Sequence, residues 1–419
     1  MKEAEVSNAD ANIPWYREIN SYQWRTLVLA ILGYTLDAMD FLMYALVIGP
    51  IMKEFAIGPA TAGFIGTVVL VAASAGGYIF GVLTDYIGRA RTLVFTVVIY
   101  SAGTFGSAFS QTWVQLLIWR SLLGLGMGGE WGPGIALVIE TWPKKHRAKA
   151  LGMVQCSWGF GWLLALGASV LIVPRWGWRG LFLVGILPAL IVSLARWRMV
   201  EPEIWERARK GAKRMFAPLE LFTRRYLGTT ILLSLLAILG AAGYYAFAIW
   251  QPTVLTAPLA KGGAALPREA LTNYLIATYL VAIVGYNVFG WFCDRWGRKP
   301  AFFIWTILTT ISLCIYALSD GNLGMVIIGM LAISFFTTYY VGYGLVISEL
   351  YETRFRGSAL GFIFNTGRLI GGQAPVLVGA MTASMGFAKA TIIAVPAMVL
   401  MVILLAWMPE TRGKELDTP

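Results

Sequence analysis

Residues 81–93 of the chain read GVLTDYIGRARTL, and residues 290–302 read GWFCDRWGRKPAF. The two segments share an aspartate and a Gly-Arg pair at the same spacing, and they lie 209 residues apart in a chain of 419. An offset of half the chain predicts that the sequence contains two copies of one structural unit. The residues that recur in the second copy are Asp85 and Asp294, Gly88 and Gly297, and Arg89 and Arg298.

Further matches support this internal repeat. At the same offset they are Glu140 with Glu349, Arg147 with Arg356, and Ala-Leu-Gly at 150–152 with 359–361. Near the ends of the two copies, Pro202-Glu203 and Pro409-Glu410 differ by 207 residues, which is close to the same offset. We therefore predict two related halves that are joined by the charged segment near residues 200–226.

The composition predicts an integral membrane protein. Hydrophobic residues make up 58% of the chain, charged residues only 13%, and the mean hydropathy is +0.68. Soluble domains carry about 25% charged residues, so this chain has too few polar side chains to cover several globular domains. A helix needs about 20 apolar residues to cross a bilayer, where lipid offers no partner for other backbone structures. We predict an all-α integral membrane protein with twelve transmembrane helices near residues 24–50, 60–84, 90–110, 113–139, 149–173, 178–200, 227–256, 269–293, 300–319, 323–347, 357–384 and 387–408.

The distribution of positive charge predicts the orientation. An even number of spans puts both termini on one side; the segments on that side hold 25 of the 33 Lys and Arg residues, and those on the other side hold six. Because basic residues are retained on the cytoplasmic side, we expect both termini in the cytoplasm of a multi-pass protein of the cell (inner) membrane. The expected order is a tail at 1–23, a six-helix bundle at 24–200, a linker at 201–226, a second bundle at 227–408 and a tail at 409–419.

Several other classes of protein are disfavoured. The membrane orientation accounts for the net charge of +11, so no argument for nucleic-acid binding remains. His146 is the single histidine, and Cys156, Cys293 and Cys314 lie in apolar segments, so we expect neither a metal site nor a disulfide framework. The glycine-rich stretch at 124–129 lacks the following Lys and Ser or Thr of a nucleotide-binding loop. We expect no enzymatic activity and no cofactor.

Three segments resemble the major facilitator superfamily. They are the repeated GxxxDxxGR loop, RSLLGLGMGGEWGPG at 120–134 and PETRGKEL at 409–416. The resemblance covers nearly the whole chain. It implies the major facilitator fold, in which two pseudo-symmetric six-helix bundles enclose a substrate site near the bilayer midplane, in a protein that functions as a monomer.

The first predicted helix narrows this resemblance. Residues 15–47, WYREINSYQWRTLVLAILGYTLDAMDFLMYALV, are similar to the first helix of the sialate/lactate and aromatic-acid proton symporters, which carry two acidic residues three positions apart. GMGGEWGPG at 126–134 and RAKALGMVQCSWGFGW at 147–162 favour the sialate/lactate branch, whereas Ala38 stands where aromatic-acid symporters typically place glycine.

The resemblance thus implies proton-coupled import of a small organic carboxylate of the lactate or sialate type, with that anion and the proton as partners. Two alternatives remain open. One is an aromatic-acid:proton symporter, which the many Tyr and Trp residues permit. The other, of a different class, is a non-transporting membrane nutrient sensor, and such proteins often carry a long cytoplasmic extension that this sequence does not show.

Four charged residues inside the predicted spans do not follow the repeat. The positions 209 residues away from Asp37, Asp40, Arg120 and Arg368 hold Ala246, Ile249, Gly329 and Gly159, respectively. An ionisable group inside a membrane is costly and commonly marks a substrate or proton pathway. These four residues are therefore candidates for specific chemistry, whereas the repeated residues belong to the scaffold.

Asp37 and Asp40 are the main candidates for proton coupling. Spaced three residues apart, they share one helix face with Gly33 and Tyr44. Two carboxylates this close cannot both ionise cheaply in a low-dielectric medium, which suits a proton carrier. The neighbouring tyrosine favours Asp40, although either acid could instead cap a kink or pair with an arginine. Glu130 in the fourth span is a further candidate, and its glycine neighbours equally fit a helix contact.

Arg368 is the main candidate for binding the carboxylate of the substrate. It lies near the middle of the eleventh span, and a guanidinium group can donate two hydrogen bonds to a carboxylate. We expect Gly367, Gly371 and Gly372 to leave space around it. Arg120 is expected to pair with Asp37 or Asp40, with direct substrate contact as the alternative. The other candidates for lining the cavity are Tyr44, Gln155, Trp158, Tyr244, Asn287 and Tyr340.

The repeated charges at the cytoplasmic helix ends are expected to form a gate. Asp85 and Asp294 can accept hydrogen bonds at a helix N-terminus and pair with arginine, which would hold the halves together while the carrier faces outward. Such contacts exist in one conformation only, so they control the conformation and not the choice of substrate. The remaining expected members are Arg89 and Arg298, Glu140 with Arg147, and Glu349 with Arg356.

Overall fold

The computed structural model describes residues 14–197, 199–211, 217–319 and 321–416. Within these ranges the regular structure is helical, and no strand occurs. The helices are α1 (Ser21–Glu54), α2 (Pro59–Ile87), α3 (Arg89–Ala108), α4 (Trp113–Thr141), α5 (Arg147–Trp197), α6 (Glu203–Gly211), α7 (Leu227–Ala248), α8 (Gln251–Thr256), α9 (Arg268–Trp296), α10 (Arg298–Ala317), α11 (Leu323–Phe336), α12 (Tyr340–Leu350), α13 (Arg356–Gly371), α14 (Ala374–Met385), α15 (Phe387–Ala390) and α16 (Ala394–Leu405).

The prediction of an all-α membrane protein is confirmed. In the part of the chain that the structure describes, nine helical segments are long and apolar enough to cross a membrane. The 51-residue α5 covers two predicted spans, at 149–173 and 178–200, with a kink at Gly177, where φ is 63°. Three later spans are interrupted, because α7, α11 and α13 are each followed by a second helix after a break of two or three residues.

Local sequence explains where several helices begin. The Asn20 side chain accepts a hydrogen bond from the Gln23 N–H, and the Gln23 side chain accepts one from the Asn20 N–H, both at 2.9 Å. This reciprocal cap satisfies backbone donors at the start of α1. Gly88 and Gly297 separate α2 from α3 and α9 from α10, with φ values of 114° and 115°. Only glycine adopts such a conformation without strain, which accounts for the repeated Gly-Arg.

Glycines also let the two halves approach closely along two pairs of helices. Between α2 and α13, a side chain at Gly81 or Gly361 would overlap the backbone of the opposite helix. Between α9 and α5, a side chain at Gly290 or Gly152 would do the same. Because these two sets of glycines are related by the 209-residue offset, the sequence repeat is also a repeat of the interface.

The outer surface of the bundle is apolar. Large hydrophobic side chains on several helices are more than half exposed, among them Phe64, Val98, Ile118, Val170, Ile328 and Val376. Such a surface suits contact with lipid tails. We call the end of the bundle formed by the α2–α3 and α9–α10 turns and by the starts of α5 and α13 the basic end.

Candidate functional site

At the basic end, two buried aspartates each cap a helix of the other half. Asp85 of α2 accepts hydrogen bonds from the Gly357 N–H at 3.0 Å and from the Ser358 N–H and hydroxyl, both at 2.7 Å. Asp294 of α9 accepts hydrogen bonds from the N–H groups of Ala148 at 3.4 Å and Lys149 at 3.1 Å. Backbone donors and the helix dipole stabilise negative charge at these positions. These contacts join the two halves.

Arg89 and Arg298 occupy equivalent positions beside the two aspartates. Each donates two hydrogen bonds to a buried glutamate of its own half, at 2.7–3.1 Å, and one to a carbonyl near the end of the preceding helix at 3.0 Å. Each also contacts the aspartate four residues earlier. The partners are Glu140, Thr84 and Asp85 for Arg89, and Glu349, Cys293 and Asp294 for Arg298.

The cluster around Glu140 extends across the interface. Its carboxylate accepts a hydrogen bond from Arg356 of the second half at 2.7 Å, in addition to those from Arg89. Arg89 in turn donates to the carbonyl of Thr353 in the second half at 2.7 Å. The side chains of Glu140, Arg89 and Arg356 are fully buried. Glu140 is therefore a bridge between the two halves.

The equivalent cluster around Glu349 makes different contacts. Glu349 accepts a hydrogen bond from the Thr411 hydroxyl at 2.6 Å, and Arg147 donates to the carbonyl of Lys414 at 3.3 Å. The sequence grouped Glu140 with Arg147 and Glu349 with Arg356, but neither pair forms an ion pair among the described residues. The reason is that Arg147 and Arg356 each begin a helix and point to the opposite half.

Two glutamates whose role was not predicted cap the helices after the glycine turns. Glu201 accepts hydrogen bonds from the N–H groups of residues 89, 90 and 91 at 2.7–3.1 Å. Glu410 accepts them from residues 298 and 299 at 2.9 and 3.0 Å. Matching the Pro-Glu dipeptides was wrong, because Glu201 lies 209 residues before Glu410 and is its counterpart. Glu203 is exposed and forms an ion pair with Arg207.

Arg368 lines a small cavity between α7, α12 and α13. Its guanidinium carbon lies 5.2 Å from the centre of the Phe364 ring, and the residue is 8% exposed. Among the described residues, no carboxylate forms an ion pair with it, and the hydroxyl of Tyr340 in the same cavity has no hydrogen-bond partner. A fixed cation and an unused hydroxyl group thus share one space, which suits an anionic ligand.

The glycines beside Arg368 have a different role from the expected one. A side chain at Gly367 or Gly371 would overlap the backbone of Ala237 or Ile238 in α7. The two glycines therefore allow α13 to pack closely on α7, whereas the sequence predicted that they leave space around the guanidinium group. This close packing fixes the helix that carries Arg368.

A larger cavity lies between α5 of the first half and α7, α9 and α11 of the second half. Tyr244 lines it and also contacts Tyr340, with ring centres 5.5 Å apart, so this cavity adjoins the one that holds Arg368. An aromatic cavity beside a fixed cation suits an organic anion. Its other aromatic walls are Trp158, Trp162, Phe247, Tyr279 and Tyr286.

Gln155 and Asn287, which were expected to line the substrate cavity, line neither of these two cavities. Gln155 accepts a hydrogen bond from the indole N–H of Trp131 at 3.1 Å, and Trp131 stacks on Phe364 with ring centres 3.7 Å apart. Gln155 thus supports the ring that lies beneath Arg368. Asn287 of the second half donates to the sulfur of Cys156 in the first half at 3.0 Å. Both amides are committed to protein partners in this conformation.

Asp40, Arg120 and Tyr44 form a cluster inside the first half. The Asp40 carboxylate accepts a hydrogen bond from the Thr104 hydroxyl at 2.9 Å. Arg120 donates to the main-chain carbonyl of Asp40 at 3.3 Å and lies 5.0 Å from the centre of the Tyr44 ring. The expected ion pair of Arg120 with an acid of α1 does not form in the described part of the chain, because the main chain and this ring surround the guanidinium group. Neither Arg120 nor Tyr44 lines the two cavities.

Asp37 lies in a different environment. It is 1% exposed, and neither carboxylate oxygen has a hydrogen-bond partner among the residues that the structure describes. Glu130, Arg196 and Arg368 lie close enough to interact with it electrostatically. Glu130 forms an ion pair with Arg196 and accepts a hydrogen bond from the Thr96 hydroxyl at 3.0 Å. Arg196 was not predicted as a site residue, because it lies at the start of the basic segment after the sixth predicted span; its side chain is fully buried.

Comparisons with known proteins agree with this architecture. Residues 30–266 and 267–418 match the profile of the Major Facilitator Superfamily. A putative metabolite transport protein of Haemophilus influenzae is 34% identical, over 96% of this chain and 99% of that protein. A probable 4-methylmuconolactone transporter of Cupriavidus pinatubonensis is 32% identical, over 96% and 94%. The sialic acid transporter NanX of Escherichia coli is 29% identical, over 93% and 95%.

A solved structure shares the fold. The proton:xylose symporter XylE bound to 6-bromo-6-deoxy-D-glucose superposes with a TM-score of 0.81, over 95% of this chain and 98% of that chain. The two sequences are 18% identical, so the likeness concerns the fold alone.

Proposed function

The chain belongs to the major facilitator superfamily and is a multi-pass membrane transporter, and from this premise we propose that it imports a small organic monocarboxylate together with a proton. The superfamily match and the relatives identify a transporter and not an enzyme. The proposals for the substrate class and for proton coupling depend on the chemistry of the cavities and on the buried charges around them.

Arg368 is the observation that carries the proposal. A guanidinium group inside a membrane protein needs a negative partner, and none of the described carboxylates is paired with it. A substrate carboxylate would supply that charge and accept two hydrogen bonds from the planar group. Tyr340 would donate a third, and the rings of Phe364 and Tyr244 would contact the carbon skeleton. The relatives named after 4-methylmuconolactone and sialic acid support this class, since each compound carries one carboxyl group.

Asp37 and Asp40 are the proposed proton carriers. The sequence favoured Asp40, but the contacts favour Asp37, because its buried carboxyl group has no hydrogen-bond partner among the described residues. Asp40 is held by Thr104 inside the first half. A substrate anion at Arg368 and a negative charge on Asp37 compete for the same positive charge, so protonation of Asp37 favours substrate binding.

Alternating access would depend on the contacts at the basic end. The excess of Lys and Arg there supports a cytoplasmic orientation of this end and of both termini in the cell (inner) membrane. The Asp85 and Asp294 caps and the Glu140–Arg356 bond hold that end closed in this conformation. We assign the gate to these residues, together with Arg89, Arg298, Glu349 and Arg147.

Uptake into proteoliposomes under an imposed pH gradient tests the proposal. We expect a labelled monocarboxylate, from a panel of lactate, sialate and benzoate-type acids, to accumulate when the outside is more acidic. The methyl ester of the same acid is the matched control and should not accumulate, because it lacks the charge that Arg368 binds. Equal uptake of acid and ester, or accumulation of no acid, contradicts the proposal.

A second candidate is an aromatic-acid:proton symporter. The cavity of Arg368 is lined by four aromatic rings, those of Tyr245, Tyr340, Tyr343 and Phe364, which would stack on an aromatic substrate. The same panel separates the two candidates. A benzoate-type acid that competes more strongly than lactate or sialate for uptake favours the aromatic assignment.

A further inference from the structure

A buried ion pair lies beside Asp37. Glu130 of α4 and Arg196 of α5 are paired, with side chains 2% and 0% exposed. The second oxygen of Glu130 accepts a hydrogen bond from Thr96, so this carboxylate is fully engaged. A methyl group added to Gly33 of α1 would overlap both Arg196 Nη2 and Glu130 Oε1. Gly33 lies one helical turn before Asp37, which places the pair next to that carboxyl group.

The hydrogen-bonding capacity of this site is only partly used. Arg196 donates through Nη2 to Glu130 and to the Leu29 carbonyl, but its Nε and Nη1 have no partner among the described residues. The two oxygens of Asp37 are also without partners there. A buried carboxylate without donors is costly, so the observed arrangement suits Asp37 as a neutral acid. Arg196 keeps the N–H groups of two nitrogens, Nε and Nη1, free of partners among the described residues, so they are available to Asp37 after ionisation.

We propose that the Glu130–Arg196 pair is a fixed counter-charge that sets the pH at which Asp37 exchanges its proton. The inference rests on the symport function proposed above and assigns the transported proton to Asp37 and not to Glu130. When the O–H bond of Asp37 breaks, its proton leaves to water on the open side, and the carboxylate accepts a hydrogen bond from one of the two unpartnered nitrogens of Arg196, Nε or Nη1. Arg196 keeps its bond to Glu130 through Nη2, so the pair positions Asp37 without carrying a proton itself.

Other charged and titratable groups also face Asp37. They are Asp40 and Tyr34 on α1, Tyr100 on α3 and Arg368 on α13. Asp40 is engaged by Thr104, and Arg368 lines the cavity where the substrate would neutralise it. The variants below leave all four unchanged, so their influence is the same in every protein compared.

Glu130→Gln and Arg196→Gln test the proposal because they remove opposite charges at nearly the same place. Glu130→Gln leaves a positive charge beside Asp37, which favours its carboxylate, so the midpoint of the pH dependence of substrate binding should move to lower pH. Arg196→Gln leaves a negative charge, and the midpoint should move to higher pH. A charge at this range shifts such a midpoint by about one to three pH units. The double variant restores neutrality and should return the midpoint close to that of the wild type.

The measurement is calorimetry of substrate binding by purified protein across a range of pH. Asp37→Asn is the control, and its binding should lose the pH dependence. Shifts of both single variants in the same direction overturn the proposal. So does a loss of pH dependence in Glu130→Gln combined with its retention in Asp37→Asn, since Glu130 would then be the proton site. If Arg196→Gln does not fold, Glu130→Gln alone tests the proposal: a midpoint shifted to lower pH supports it, and an unchanged or raised midpoint overturns it.

Failure of the symport proposal itself gives a different result. In that case the wild type shows no pH dependence of binding and no accumulation driven by a pH gradient. A wild type that is driven by the pH gradient, with variants whose midpoints do not move in opposite directions, contradicts only the role of the Glu130–Arg196 pair.

Discussion

Two buried arginines that look alike in the sequence have different environments. Arg120 is surrounded by the main chain of α1 and the rings of Tyr44 and Phe182, inside one half of the molecule. Arg368 faces a cavity, and no described carboxylate pairs with it. Depth in the membrane was readable from the position of each residue in its span. The groups that contact each arginine could not be predicted, because they depend on which helices pack against its span.

Arg368→Ala should nearly abolish substrate binding. Loss of one member of a desolvated charge pair costs about 2–5 kcal/mol, or about 30-fold to several thousand-fold in affinity. Arg368→Lys keeps the charge but loses the planar fork, so an intermediate loss is expected. Calorimetry on folded, purified protein measures the effect, with Arg120→Ala as the matched control. If Arg120→Ala loses binding while Arg368→Ala binds as the wild type does, the anion site lies in the first half.

Asp37→Asn should uncouple transport from the proton. The amide mimics the protonated acid, so substrate binding and counterflow exchange should persist while accumulation driven by a pH gradient is lost. Asp40→Asn should have a milder effect, because Asp40 contacts Thr104 and not the cavities. Counterflow and accumulation in proteoliposomes separate the two steps. Full accumulation in both single variants and in the double variant would rule out α1 as the proton-coupling helix.

At the scale of single elements, helix type was predictable and helix continuity was not. Long apolar runs predicted the spans, and the repeated Gly88 and Gly297 marked the turns between them. The non-helical residue Gly177 of α5 lies between the predicted spans at 149–173 and 178–200. The breaks after α7, α11 and α13 were not predicted, because the apolar runs continue through them. The role of Glu201 was missed because a local dipeptide match was preferred to the constant offset.

The end of α4 gives a prediction about the interface. Glu140 bonds Arg356 of the other half, whereas its counterpart Glu349 bonds Arg298 and Thr411. Glu140→Gln should therefore open the basic end more than Glu349→Gln does. The two variants are matched, because each also removes the ion pair between the glutamate and an arginine of its own half.

Distances between spin labels can measure this opening. Arg91 and Arg295 are exposed, lie in different halves at the basic end, and are suitable labelling positions. A larger fraction of long distances in Glu140→Gln than in Glu349→Gln is expected. Equal distributions in the two variants would mean that the bond to Arg356 does not hold the halves together.

At the scale of the whole molecule, the sequence repeat predicted the architecture but not all of its asymmetries. The offset correctly relates the glycines of the two inter-half contacts, Gly81 and Gly361 to Gly290 and Gly152. It does not show that Arg356 reaches Glu140 while Arg147 reaches the carbonyl of Lys414. The C-terminal segment contributes to this difference, because it supplies Thr411 to Glu349 and the Lys414 carbonyl to Arg147. The unrepeated charges were recognised as special from the repeat itself, since the scaffold did not require them.

The last prediction concerns the latch, by which we mean Asp85 and Asp294 at the basic end together with the helix starts that they cap. Asp85 accepts three hydrogen bonds at 2.7–3.0 Å from the other half, whereas Asp294 accepts two longer ones. A hydrogen bond to a charged group contributes about 1.5–3 kcal/mol, so its loss changes the ratio of two conformations by about 10-fold to more than 100-fold. Asp85→Asn should therefore populate the state open at the basic end more than Asp294→Asn does, and the spin-label distances would show it.

Neither latch variant should alter which acid is preferred. The latch lies at the starts of α5 and α13, whereas Arg368 is twelve residues further along α13 and contacts none of the latch side chains among the described residues. A latch that acts only on the balance between conformations changes the binding of all substrates by the same factor. Competition by the panel of acids against one labelled substrate measures the ranking in both variants. A changed order in Asp85→Asn would show that the latch shapes the binding site, because a shift in the population of one unchanged site cannot reorder its ligands.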